Sequence, residues 1–158
     1  MLSNFRNKPK NETFKVNLDT EDNKFGDFIE LKSFSDKKFL DEIGRKTAGQ
    51  KNKSWKEKVR NSSTDKDFES MCASMARHLV VDWQLTDDKE EFKSMFPDIK
   101  VESRAGLDKK YCSVPYCFEN VFALLTHKEY ETFTQMVYDE TRDEANYIKR
   151  ELDAEAGN

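Results

Sequence analysis

Residues 68–83, FESMCASMARHLVVDW, decide how this chain is read: Phe68, Met71, Cys72, Met75, Leu79, Val80 and Trp83 recur at the spacing of one helical face. The periodicity predicts a core helix over 66–84, capped by Thr64 or Asp65 after the polar break at 61–64 (NSST). Two more apolar-faced segments follow, 114–125 and 130–152. Packed helices with no catalytic constellation among them point to a surface for another protein.

Upstream, 14–18 (FKVNL) alternates apolar and polar residues, and 28–31 continues the alternation after a turn region containing Gly26. A hairpin over 14–34 is expected. Two strands alone are marginal in water, so it must pack on the helices or join a partner's sheet. Ser35 precedes Asp36 as a cap for a basic helix over 35–60, with Phe39, Leu40 and Ile43 on its apolar stripe. Between the core helix and the last helices, 86–113 loses periodicity and reads as an inserted loop with one helical turn around Phe92, Met95 and Phe96. Pro115 biases Val114 to an extended backbone. Helix is then expected from Glu119 to Thr126 and from about Lys128 to Leu152. The whole reads as a mainly α, α+β fold: a small N-terminal hairpin on about four helices. A polar arm (1–13) precedes the single domain (14–152), and a short tail (153–158) follows it.

Length and charge bound the function. At 158 residues, 37% of them charged, the chain is one modest domain with much solvated surface, while 12% aromatics argue against disorder. The net charge of -4 conceals an asymmetry. Nine basic residues face four acids over 36–60, whereas nine acids face four basic residues over 128–158. Opposite charges of this kind attract within a fold or drive self-association, and salt weakens both. The acidic total makes a dedicated nucleic-acid binder improbable. With three cysteines, no secretory signal and no run of about 18 apolar residues, a reduced, unexported chain without a membrane span is expected.

Site chemistry is sparse. Cys112 and Cys117 with His78 or His127 supply zinc-type ligands, but a spacing of four intervening residues and the missing second pair argue against a metal. A cysteine nucleophile needs an imidazole beside it, and there are only two histidines. Asp87–Asp88 and Glu90–Glu91 lie in no apolar setting that would raise a carboxyl pKa. No Walker loop, GxGxxG or HExxH occurs. Neither catalysis nor a cofactor is expected. Met71, Met75, Met95 and Met136 with the phenylalanines form either core or an adaptable groove.

Leu79-Val80-Val81-Asp82-Trp83, followed by Val114-Pro115-Tyr116-Cys117-Phe118-Glu119-Asn120-Val121 and Leu124-Leu125, resembles the tail assembly chaperones of long-tailed bacteriophages. In that family a helix ends in a Val-x-x-Trp-like segment, a Pro-Tyr/Phe-Thr/Ser-x-Glu-Asn turn follows, and a helix with paired leucines comes next. Phe28 to Ser33, with Asp36 and Phe39, is similar to the family's strand leading into its first helix. Val80, Trp83, Pro115, Tyr116, Glu119 and Asn120 match the motif. Cys117 departs from it, standing where Thr or Ser caps the helix, and the 86–113 insertion is long. The resemblance implies a non-catalytic chaperone in the host cell cytoplasm. Such a chaperone binds the tape measure protein, keeps it soluble, helps recruit tail tube protein, and leaves before the virion is complete. Trp83, Tyr116, Phe122, Leu125, Phe133 and Val137 are expected to divide between core and client surface. The alternatives are a connector protein that closes into homo-oligomeric rings and, further off, a nucleic-acid-binding regulator using the basic helix.

Overall fold

The computed structural model describes residues 1–2, 11–46 and 65–148. Four strands, β1 (Thr13–Asn17), β2 (Phe28–Lys32), β3 (Val80–Asp88) and β4 (Tyr111–Val114), form one antiparallel sheet in the order β1-β2-β3-β4. Among the described residues five α-helices accompany it: α1 (Lys37–Lys46), α2 (Asp65–His78), α3 (Lys89–Met95), α4 (Phe118–Thr126) and α5 (Glu131–Arg142). The class is α+β. The expected 14–34 hairpin is present as β1 and β2, with Phe14 opposite Leu31 and Val16 opposite Ile29. It is half of a larger sheet, and this corrects the expectation of an isolated hairpin on helices.

The larger sheet exists because the helix expected over 66–84 stops at His78. Val80 and Val81 are β-branched and favour a strand. The backbone turns there, with the Lys32 amide donating to the Leu79 carbonyl at 2.8 Å. Val80 and Trp83, three apart, would face opposite ways on a regular strand. The β2–β3 register shifts between Glu30 and Leu31, where Glu30 pairs with Asp82 and Leu31 with Val80. Val81 is the extra residue, and this bulge turns both Val80 and Trp83 into the core.

The 86–113 segment is likewise corrected from a loop to structured chain. It carries the end of β3, all of α3 and most of β4. Asp88 caps α3 by accepting from the Glu91 amide at 3.0 Å, and Phe92 and Phe96 are buried beneath it. Val114 is extended as expected, closing β4. The long C-terminal helix is interrupted: a 3₁₀ turn at Lys128–Tyr130 precedes α5, and α5 ends at Arg142 before a second turn, Glu144–Tyr147. Asp143 accepts from the Ala145 amide at 3.1 Å and starts that turn. The cap of α1 is Asp36, which accepts from the Phe39 amide at 3.1 Å, whereas the Ser35 hydroxyl pairs with Ser33. The rest of the expected basic helix (47–60), most of the arm, the end of the 130–152 segment and the tail lie outside the described residues.

Ile29, Leu31, Val80, Trp83, Cys112 and Val114 line the buried face of the sheet, and α1, α2, α4 and α5 supply Phe39, Ile43, Met75, Val121, Leu124, Leu125 and Val137. The opposite face carries Lys15, Glu30, Asp82, Gln84 and Thr86, so the sheet has one wet side. Beyond β4, Glu102 and Ser113 exchange both backbone hydrogen bonds, at 2.9 and 2.8 Å. Beyond β1, the Asn11 amide donates to the Tyr147 carbonyl.

Candidate protein-binding surface

The junction of β3, β4 and α4 brings the two halves of the sequence motif together. Trp83 is 5% exposed, and its indole Nε1–H donates to the Val114 carbonyl at 2.8 Å. Tyr116 packs on it edge to face, ring centroids 5.9 Å apart, and its hydroxyl donates to the Val80 carbonyl at 2.7 Å. Val80 and Val114 are backbone ends of neighbouring strands, so two aromatic side chains tie the strand termini to the turn that starts α4. The Asn120 carboxamide donates to the Pro115 carbonyl at 2.9 Å and holds that turn. Burial, and secondarily the Asp82 carboxylate, push the Tyr116 phenol above its ordinary value, which keeps it a donor.

Cys117 is the N-cap residue of α4, extended and without a side-chain cap bond. A thiol is a poor acceptor, so the side chain at this position leaves the first amides of α4 uncapped, while Asn120 holds the preceding turn through Pro115. On either side of Cys117, Tyr116 and Phe118 are each 40% exposed. Phe118 stacks on Phe122 one turn later, 6.2 Å between centroids with planes 10° apart, and the Arg77 guanidinium lies 5.5 Å over the Phe118 ring. Arg77 and His78 at the end of α2 both reach the Glu42 carboxylate on α1, His78 at 2.6 Å. Tyr116, Phe118 and Phe122, bordered by Arg77, make an aromatic surface at the start of α4.

Of the residues expected to divide between core and surface, Trp83, Leu125 (1% exposed) and Val137 (0%) are core. Tyr116 is surface, while Phe122 and Phe133 are half-buried against the core. Phe133 stands on α5 beside Tyr130 and away from the Tyr116 cluster. Phe118, which belongs to the quoted motif segment but not to the six residues expected to divide between core and surface, is among the exposed large apolar side chains. Its spacing of four from Phe122 was the available signal.

The chemistry-bearing residues are dispersed. Cys72 is buried, its Sγ–H donates to the Leu125 carbonyl at 3.7 Å, and burial pushes its thiol up to about 12. Burial, aided by Asp87, also raises the Cys112 thiol. His127 accepts from the Glu129 amide at 3.1 Å and packs on Phe96. Asp87 accepts from the Tyr130 hydroxyl at 3.1 Å while its neighbour Asp88 caps α3, so that carboxylate pair is divided between two structural tasks. Among the described residues no three His, Cys, Asp or Glu side chains are placed to hold a metal ion, and no helix is long and apolar enough to cross a membrane. Comparison with protein-family models, curated proteins and solved structures returned no match.

Proposed function

We propose that this chain is a phage tail assembly chaperone. It binds the tape measure protein, keeps that long helical client soluble in the host cell cytoplasm, and promotes polymerisation of tail tube protein around it, with neither catalysis nor a cofactor. The observation that carries the reading is that motif residues distant in sequence meet in space, with Tyr116 bonding Val80 and Trp83 bonding the residue before Pro115, while Asn120 holds the local turn through Pro115 itself. The cluster leaves Tyr116 and Phe118 outward, and an amphipathic client helix lays its apolar stripe on such rings. A few aromatic anchors then supply most of the affinity.

The test is co-expression of the full chain with fragments of a tape measure protein, followed by purification in high salt. The expected result is soluble client that co-purifies, with capture weakened about 30-fold by Phe118→Ala, the equivalent of about 2 kcal/mol for one anchor. Tyr116→Phe keeps the ring and loses the bond to Val80, so it separates client contact from support of the fold. Insoluble client, with the chain sedimenting as a closed ring by itself, overturns the reading in favour of a connector.

A further inference from the structure

A cavity of about 620 Å³ lies between the β1–β2 connection and the 104–111 segment, a second of about 400 Å³ lies between that segment and Lys89, and Arg104 lines both. Its Nη2 donates to the Phe25 carbonyl at 2.8 Å. Its Nη1 is buried and has no acceptor among the described residues. A guanidinium nitrogen shut from water without a partner is costly, and a retained group of this kind calls for an acceptor. The charges around the cavities favour an anion. Lys24, Lys89 and Lys109 join Arg104, against Glu102 and Asp108, and one oxygen of Asp108 already accepts from the Lys110 amide at 3.0 Å.

The segment over Arg104 has room to adjust. The Leu107 amide donates back to the Arg104 carbonyl at 3.0 Å, and the turn so closed contains Gly106 at φ +81° with nothing within 4 Å of where a Cβ would stand. An anion reaches the buried Nη1 only if the covering chain shifts, and the Nη2 bond to Phe25 can stay in place as it does so. We propose that the cleft is an oxyanion site, in which Arg104 pairs through its fork with a carboxylate or phosphate and Lys24 adds charge at the mouth. This inference stands apart from the chaperone reading, because none of its residues belongs to the Tyr116–Phe118 surface.

The experiment is amide NMR of the full chain at fixed ionic strength, titrated with inorganic phosphate, with a blocked peptide carrying two glutamates, and with chloride as control. The expected result is a saturable shift of the Phe25, Gly26, Arg104 and Tyr111 amides, weakened about tenfold by Arg104→Gln. Lys24→Gln, at an exposed position, is expected to weaken it about threefold and leave the fold unchanged. Saturation by phosphate identifies a free anion as the ligand, and saturation by the peptide alone identifies an acidic segment of a partner. Shifts no larger than those with chloride, or titrations unchanged in Arg104→Gln, overturn the proposal by leaving a trapped water as the acceptor. If Arg104→Gln does not fold, unchanged binding in both Arg104→Lys and Lys24→Gln overturns it equally.

Discussion

Trp83 performs two tasks with one side chain: its ring fills the core under the sheet, and its Nε1 satisfies the carbonyl of the residue that ends β4. Trp83→Phe removes the donor and part of the volume, leaving the Val114 carbonyl short of a partner. A loss of about 2 kcal/mol is expected in urea unfolding, with the slope unchanged. The cysteines differ by burial. At pH 8 iodoacetamide should label half-buried Cys117 first, and Cys72 only when the chain opens, as mass spectrometry would read. Cys72 also sets a direction for stability. Its thiol is raised in the folded chain from the ordinary 9.0 to about 12, so between those values the native state holds a proton that the unfolded chain has released. Stability therefore falls as pH climbs from about 9 towards 12, and the phenols of half-buried Tyr130 and buried Tyr147, raised chiefly by desolvation, act in the same direction. Denaturation midpoints across that range check the sign, and Cys72→Ala should flatten the decline.

At the scale of elements, the helical period is legible in 68–79 because α2 buries one continuous face. It misleads over 80–83, where the bulge at Val81 places Val80 and Trp83 on one side of a strand at the spacing a helix would use. A one-residue irregularity in pairing leaves no trace in periodicity. The 86–113 segment was illegible for a related reason: β4 is four residues long and α3 seven, each too short to establish a period. Asp88 before Glu91 was the readable mark of the α3 cap. Within the candidate surface, Tyr116 is recoverable from the motif, whereas the burial of Leu125 and Val137 and the exposure of Phe118 depend on which helices neighbour α4 and α5. Deleting Val81 tests the bulge directly. With the extra residue removed, Val80 and Trp83 stand two apart and share the buried face of a regular strand opposite Leu31 and Ile29, so cooperative thermal unfolding and the Trp83 fluorescence blue shift are expected to survive, whereas their loss would show that the fold needs the bulge itself.

For the whole molecule, the sheet is assembled from two parts that are each local in sequence, β1 with β2 and β3 with β4. Leu31 meets Val80 only by closing about fifty residues of intervening chain, a stretch that contains α1 and all of α2. Loop closure of that length must precede any reward from the central pairing, so the order of events in time follows from the strand order in space. The two peripheral pairs and α2 are expected to gather early, with the β2–β3 seam forming at or after the rate-limiting barrier. Stopped-flow refolding should then show Ile29→Val accelerating unfolding with little change in the folding rate, whereas a high φ-value at Ile29 would place the seam in the nucleus. A chain whose central seam closes last spends its slow phase with the facing edges of both inner strands open. Its yield on refolding should therefore fall with protein concentration even though the finished sheet carries partners beyond both outer strands.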